Sequence, residues 1–444
     1  MVQPDGRVVT VEVAADGDGL VSRAGTALIA ALADRLGVAA EFSAALSGAR
    51  RRAGGHDRGR VLADLAVMLA DGGDCVADLG ALRDQPQLFG TVASGPTAWR
   101  AVQRVDEQLL DGLRDARARV RARAWAAGAR PERVVLDFDS HLISSHSEKQ
   151  GAAPTWKRGF GFHPLLCYLD ESGEALAGVL REGNAGSNTA ADHITVLELA
   201  LEQLPADALD GEILARSDSA GASHDFAAAL RETNVRFSLG FAITEHIRQA
   251  ILGLPESAWA AAISQDGEDR DGAWVTELTG LVDLAPWPAG SRLIVRRERP
   301  HPGAQLSFTD IAGHRFQCVL TDQTGDDLAI IEARHRAHAR VEDRIRCARD
   351  TGLRNLPFRD FHANACWLEL VLCAQDLICF TQRLLLEGDL AACEPKRLRY
   401  RLLHVAGRVT RHARTTRLRL PRSWPWAAAL LAAFTRLRVL PAPA

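Results

Sequence analysis

Three acidic residues lie where carboxylates from separate elements could converge on metal ions. Asp139 ends the run VVLDFD, Asp218 follows the run ILARS, and Glu342 lies farther along in a helical segment. Phosphoryl transfer at a nucleic acid uses two divalent cations about 3.5 to 4 Å apart, and oxygen ligands must hold both. The pattern therefore predicts a two-metal site with Asp139, Asp218 and Glu342 as ligands.

Asp137 is the alternative to Asp139 as the first ligand. Both residues lie in VVLDFDS, and because side chains alternate along a strand, both point to the same face. Any one of these acids alone is more typical of a turn, a helix cap or a surface ion pair. The prediction therefore depends on their combination.

The surroundings of Glu342 also suit phosphate chemistry. Residues three or four positions apart share a helix face, and those around Glu342 are His335, His338, Ile345, Arg346 and Arg349. A second basic group, Lys149, Lys157 and Arg158, follows the first acid in the Gly-rich stretch HSEKQGAAPTWKRGFGFHP. We favour DNA-backbone contacts for this stretch over a solvated hairpin.

The order of apolar patterns predicts an α/β protein. Helical spacing dominates the first part of the chain, strands alternate with helices in the middle, and a β-rich stretch precedes further helices. The predicted units are an N-terminal helical, DNA-binding domain (1–130), the first part of the catalytic core (131–258), a β-rich insertion (259–328), the helical second part of the core (329–390) and a basic, DNA-binding C-terminal segment (391–444).

Composition narrows the class of protein. Hydrophobic residues make up 47% and charged residues 25% of the 444, which is typical of a globular chain. The eight cysteines form no CxxC pair, and neither a signal peptide nor an uncharged apolar stretch of about 18 residues is visible. These features predict a cytoplasmic protein without a membrane span, and the excess of Arg over Lys fits a GC-rich genome.

Basic residues are unevenly placed. The chain has twelve Arg or Lys residues and no acid after Glu394, which favours contact between this segment and a polyanion. The segment GARRRAGGHDRGR and the Arg-rich helix from Arg114 to Arg123 fit a solvated face and a DNA contact about equally well. The stretch GNAGSNTAADH lacks the Lys of a phosphate-binding loop, so no nucleotide cofactor is predicted.

Four sequence blocks resemble the insertion-sequence transposases of the thirteen-eighty group, which are related to the larger insertion-sequence-four superfamily. The blocks are VVLDFDSHLISSHSEKQGAAPTWKRGFGFHPLLCYLD, REGNAGSNTAADHITVLELALEQLP, ILARSDSAG and RHRAHARVEDRIRCARDTGLRNLPFRDF. They occur in the family's order over most of the chain.

The resemblance implies an RNase H-like catalytic core with a β insertion between the second and third acids. It also implies a bacterial DNA transposase that binds the terminal inverted repeats of an insertion sequence and moves the element by a cut-and-paste route. Asp139, Asp218 and Glu342 would hold two Mg²⁺ ions, with Mn²⁺ as a substitute. The expected partners are the repeats and the target DNA, bound by a homodimer associated with the nucleoid.

The superfamily signature around the third acid is Tyr, two residues, Arg, three residues, Glu, six residues, Lys. With Glu342 as the Glu, these slots hold His335, His338 and Arg349. Only His338 and Arg349 keep a basic character, so the resemblance implies phosphate contacts for Arg349 and leaves the two histidines without a settled role. Arg346 and His338 complete the predicted DNA-binding set with Arg349.

Related transposases can stack a Trp of the β insertion on a flipped base, and Trp259, Trp274 and Trp287 are the candidates here. Packing in the core of the insertion is the alternative for each.

Two other functions share the same acids. One is a decayed or domesticated copy that binds inverted repeats as a regulator without catalysis. The other is an RNase H-like nuclease that lacks strand transfer.

Overall fold

The computed structural model describes residues 11–47, 55–145, 148–186, 189–300, 303, 310, 313–325, 327–413 and 415–441. Part of the basic segment GARRRAGGHDRGR, residues 48–54, lies outside this range.

The N-terminal part is helical, as its apolar spacing predicts. Helices begin at capping residues where the sequence offers them: Asp57 accepts from the amide of Arg60, and Asp106 from that of Leu109. The elements are β1 (Leu20–Val21), α1 (Thr26–Leu36), α2 (Val38–Ala45), α3 (Arg58–Ala70), α4 (Gly80–Arg83), α5 (Pro86–Phe89), α6 (Gly95–Val102) and α7 (Glu107–Ala124).

A mixed sheet with helices follows. Its elements are β2 (Val134–Ser140), β3 (Ile143–Ser144), β4 (Ala153–Pro154), β5 (Phe160–Phe162), β6 (Leu165–Leu169), β7 (Ala175–Val179), α8 (Ala190–Glu202), α9 (Ala206–Leu209), β8 (Ile213–Ser217), α10 (His224–Glu232) and β9 (Val235–Phe241). The strand order is β7-β6-β2-β8-β9. Strands β2, β6 and β7 are antiparallel neighbours, whereas β8 and β9 run parallel to β2. This topology is that of the RNase H fold, and the predicted fold class is confirmed.

The β-rich insertion extends this sheet. After α11 (Glu245–Leu252), strands β10 (Ala260–Ile263), β11 (Asp269–Glu277), β12 (Arg292–Glu298) and β13 (Arg315–Thr321) form an antiparallel series. Strand β13 pairs with β9. The insertion thus lengthens the catalytic sheet to nine strands.

The remaining elements are α12 (Leu328–Arg336), α13 (Arg340–Ala348), α14 (Phe361–Leu385), α15 (Pro395–Leu398), β14 (Gly407–His412), β15 (Thr415–Arg419) and α16 (Ala427–Val439). Strand β14 pairs with β1 and β15, so the two ends of the chain meet in one small sheet.

Helix α14 is the centre of the hydrophobic core. By length and composition it could cross a membrane, but 94% of its apolar window is buried inside the protein. It packs against α3, α7 and β7, so the N-terminal helices and the catalytic sheet share one core. The division into domains stays a prediction.

The Arg-rich helix α7 is part of this core. Arg117 and Arg121 lie one turn apart, are buried, and pair with Glu369, Asp376 and Glu174. Arg119 and Arg123 pair with Glu41. The structure corrects the idea of a basic face open to DNA, because these guanidinium groups hold α7 to its neighbours.

Candidate active site at the carboxyl ends of two parallel strands

The first two predicted ligands end neighbouring strands. Strands β2 and β8 are parallel, and Phe138 lies opposite Ser217 in their register. Asp139 and Asp218 are the next residues of each strand, so they lie side by side at the carboxyl edge of the sheet. This edge is where open α/β sheets place their ligands.

The chain turns sharply after Asp218. The Asp218 carboxylate caps a short 3₁₀ helix by accepting from the amide of Ala220 at 2.9 Å. Gly240 of β9 lies beneath this turn, and a Cβ at position 240 would lie 2.9 Å from the carbonyl carbon of Asp218. The absence of a side chain at Gly240 therefore lets β9 approach the turn that carries the second acid.

The third acid comes from α13, which packs against β2. Glu342 lies in the first turn of α13 and is exposed, while Val341 and Ile345 are buried. These apolar residues fix the helix on the sheet. The negative charges of Asp218 and Glu342 both act on the titration of Asp139, so the three carboxylates lie near one another.

Burial raises the pKa of Asp139 to about 6, and the charges of Asp218 and Glu342 add to this effect. The Ser140 amide and His338 act in the opposite direction. Among the described residues, none of the three acids forms an ion pair with Lys, Arg or His. Unpaired like charges at one site are costly unless a cation neutralises them.

The chemistry of the three acids suits hard divalent cations. Three carboxylates are a donor set for Mg²⁺ or Mn²⁺. Among the described residues, the group of three metal-ligand side chains whose ligand atoms all lie within 4.8 Å of one another is Asp74, Cys75 and Asp78, and it does not include the three acids. Their assignment as metal ligands therefore stays a prediction.

Asp137 has a different role. Arg216 donates from Nε and Nη2 to its two carboxylate oxygens at 2.8 and 2.7 Å, and His338 Nδ1 lies 2.9 Å from Oδ1. Burial acts to raise the pKa of Asp137, but the bonds from His338 and Arg216 outweigh it and lower the pKa. The geometry thus favours Asp139 over Asp137 as the metal ligand.

Sequence reasoning missed Arg216. It is buried in β8, directly opposite Asp137, and also lies 3.0 Å from Asp170 Oδ2. A charged residue inside the apolar run ILARS was the available signal, because a buried charge needs a partner. The ion pair between Asp137 and Arg216 joins β2 to β8 just before Asp139 and Asp218.

We predict that Asp137→Asn and Asp139→Asn have different effects. Asp137→Asn removes one of the two carboxylates that pair with the buried Arg216, so the free energy of unfolding should fall by about 3 kcal/mol. Metal-dependent DNA cleavage should change by less than about tenfold, or about 1.4 kcal/mol. Asp139→Asn should have the reverse pattern. Denaturant unfolding and a cleavage assay of both variants test this, and loss of cleavage in Asp137→Asn alone would contradict the assignment.

Of the two histidines before Glu342, His338 is buried and His335 is half-buried. His338 is 8% exposed and bound to Asp137, so the structure corrects its assignment to DNA contact. His335 Nδ1 lies 3.1 Å from Ser238 Oγ, and burial lowers its pKa to about 3. The two imidazoles thus contact residues of β2 and β9.

The other predicted DNA contacts differ in accessibility. Lys157, Arg158, Arg346 and Arg349 are exposed. Arg346 pairs with Asp343 and Glu394, at 2.7 and 2.8 Å. Lys149 is half-buried and its ammonium donates to the Leu356 carbonyl. This contact holds Lys149 to the chain before α14, and its assignment to the DNA-binding set stays a prediction.

Two of these basic residues act on a group near the end of β2. Burial lowers the pKa of His141 to about 4, and the positive charges of Arg349 and Lys157 contribute to this shift. His141 is two positions after Asp139. Arg349, which directly follows α13, and Lys157, in the β4–β5 hairpin, thus form a basic rim near the end of β2.

The tryptophans of the insertion are all partly buried. Arg297 lies between Trp259 and Trp274, 4.4 and 4.7 Å from their ring centres. Trp287 packs on His224 and Phe241, with ring centres 4.2 and 5.4 Å apart. Packing within the insertion and against the loop after Asp218 accounts for the placement of all three.

An RNase H-like sheet that presents three unpaired carboxylates beside a basic rim defines a class of metal-dependent enzymes acting on nucleic acids. The chain belongs to the family described as transposase DDE domain group 1, which matches residues 3–442. DDE transposases use divalent metal ions for DNA transposition.

Among solved structures, the chain matches the cryo-EM structure of the piggyBac transposase synaptic complex with hairpin DNA. The two chains are 12% identical, the match covers 87% of this chain and 80% of that one, and the TM-score is 0.44. No curated protein matches the chain.

Proposed function

We propose that this protein is the transposase of a bacterial insertion sequence of the thirteen-eighty group. It binds the terminal inverted repeats of its element, cleaves the DNA at the element ends and joins the freed ends to target DNA by a cut-and-paste route. The observation that carries the proposal is the set of Asp139 in β2, Asp218 directly after β8 and Glu342 in α13, three carboxylates without an ion pair among the described residues.

The residues present fit a pair of Mg²⁺ ions. Such ions would activate the attacking oxygen and stabilise the leaving oxygen of the phosphodiester. Asp139 and Asp218 would hold them from the sheet and Glu342 from the facing helix. Lys157 and Arg349 would position the phosphates on either side of the scissile bond.

Cleavage of two element ends needs two active sites held on one DNA complex, and we propose a homodimer assembled on the inverted repeats. The basic C-terminal segment suits a role in binding those repeats. Arg411 and Arg417 lie on the paired strands β14 and β15, and both are exposed. The segment has no acidic residue after Glu394. Its arginines can contact the phosphate backbone.

The test is incubation of the purified protein with a labelled duplex that spans one element end and its flanking DNA, together with a supercoiled target plasmid. We expect cleavage at the element boundary and joining to the plasmid, both only with Mg²⁺. Binding without cleavage would support the regulator, and cleavage without joining would support the nuclease. Either result would overturn the proposal.

A further inference from the structure

The β4–β5 hairpin presents a rigid tip. The amide of Arg158 donates to the Thr155 carbonyl at 2.9 Å, and the amide of Thr155 donates to the Gly159 carbonyl at 2.8 Å. The Thr155 hydroxyl also accepts from the amide of Gly159 at 3.0 Å. These bonds define a three-residue loop, Trp156, Lys157 and Arg158, closed by a residue in the left-handed region.

Trp156 is unusually exposed for an indole. Its side chain is 67% exposed, although a large aromatic group gains most when it is buried. The ammonium of Lys157 lies 4.8 Å from its ring centre. A flat aromatic surface with a cation beside it suits stacking on a nucleic-acid base next to a phosphate.

The backbone of Arg158 has a left-handed conformation that glycine usually adopts. Its φ is +61°, and in a loop of this kind glycine adopts such a value without steric strain. Residues with strained backbone conformations cluster at functional sites. A glycine at position 158, like the Gly159 that follows it, would fit the turn without strain, but the residue there is Arg.

The base of the hairpin is fixed close to the catalytic edge of the sheet. Strand β5 lies between β3 and β4, and β3 follows directly after β2, which bears Asp139. The ring of Phe162 packs on Phe361 at the start of α14, 6.4 Å between centres. The hairpin therefore begins close to the end of β2 that bears Asp139.

The hairpin also has a uniform charge. From Lys149 to Leu169 the sequence contains basic residues and no Asp or Glu. A polyanion is therefore the partner that suits this surface.

We propose that Trp156 stacks on an unpaired or unstacked base of the DNA at the cleavage site, while Lys157 and Arg158 bind the adjoining phosphates. This inference rests on the proposed function, since it requires that DNA occupies the catalytic edge. It adds a base-recognition element that lies outside the β insertion.

The experiment measures binding of the full chain, in EDTA, to two duplexes of the same sequence. One is fully paired, and the other carries a single unpaired 2-aminopurine. The variants are Trp156→Ala, Trp156→Phe as the matched control that keeps a ring, and Arg158→Gly, which relieves the backbone strain and removes the charge. Thermal unfolding of each variant verifies that it folds.

We expect Trp156→Ala to weaken binding of the unpaired duplex by about 5- to 150-fold, the range measured for one base stacked on an aromatic ring. Trp156→Phe should retain most of the affinity and of the 2-aminopurine quenching. Arg158→Gly should weaken binding to both duplexes and reduce the salt dependence of binding, although it unfolds at the same or a higher temperature.

Equal binding of the unpaired duplex by Trp156→Ala and the unsubstituted protein would overturn the inference, and metal-dependent cleavage would then still stand. Failure of the unsubstituted protein to bind either duplex would overturn the inference and also count against the proposed function.

Discussion

Asp218→Asn is expected to reduce metal-dependent cleavage of an element end by about 10³-fold or more. The substitution removes a metal ligand, which contributes several kcal/mol to stabilisation of the transition state, and about 1.4 kcal/mol corresponds to a tenfold rate. Glu342→Gln should behave in the same way. Binding of the end should be retained, because the basic rim and the basic C-terminal segment are unchanged.

Asp343→Asn is the matched control for this prediction. Asp343 is adjacent to Glu342 in the first turn of α13, but it is exposed and pairs with Arg346 at 2.7 Å. An exposed ion pair contributes about 1 kcal/mol or less, so the rate should stay within about tenfold of the unsubstituted protein. Equal rates for Asp218→Asn and Asp343→Asn would contradict the assignment of the acids.

Arg121→Met is expected to lower the free energy of unfolding by about 3 to 5 kcal/mol, because it leaves the buried Glu174 without its counter-ion and Asp376 with Arg117 alone. Arg121 is fully buried and donates to Glu174 at 2.8 Å, Asp376 at 2.5 Å and Gln203 at 2.6 Å. Burial already raises the pKa of Glu174. Loss of the Arg121 charge would strengthen that effect.

Arg119→Met on the same helix is the control. The Arg119 side chain is 49% exposed and pairs with Glu41, so its loss should cost about 1 kcal/mol or less. Denaturant unfolding monitored by circular dichroism measures both variants. If the two variants were equally stable, the buried network would not be what joins α7 to α14 and β7.

Much of the fold could be predicted because the decisive patterns are local. The runs VVLDFDS and ILARS are apolar and short, and they form strands β2 and β8 as expected; the structure shows that these two strands pair in parallel. The acids at their ends follow from strand geometry, since parallel strands end at one edge of the sheet. The sequence also predicts a helix around Glu342. In the structure, a 3₁₀ turn at Ala337–Ala339 separates this helix from α12.

Pairing between distant residues could not be predicted. The sequence shows Arg117 and Arg121 as part of a basic helix, and only the fold brings Glu369, Asp376 and Glu174 to them. The same holds for His338, which looks like a phosphate ligand until the register of β2 places Asp137 beside it. Whether an arginine or histidine is free to meet DNA depends on tertiary contacts that residue spacing does not encode.

The basic, Gly-rich stretch after Asp139 is a second case in which residue spacing does not predict the contacts of a charged side chain. Lys149 and Lys157 lie in one Gly-rich segment, yet the ammonium of Lys149 is bound to the Leu356 carbonyl and that of Lys157 is exposed beside Trp156. Lys157 lies in the turn of the β4–β5 hairpin, whereas Lys149 precedes β4, so the two ammonium groups have different surroundings.

The assignment of the three acids can be tested with crystals of the protein grown with Mn²⁺ and DNA, in which anomalous scattering locates the ions. We expect Mn²⁺ bound by the carboxylates of Asp139, Asp218 and Glu342, with Asp137 still paired with Arg216. Mn²⁺ bound by Asp137, or found only elsewhere, such as at Asp74 and Asp78, would contradict it.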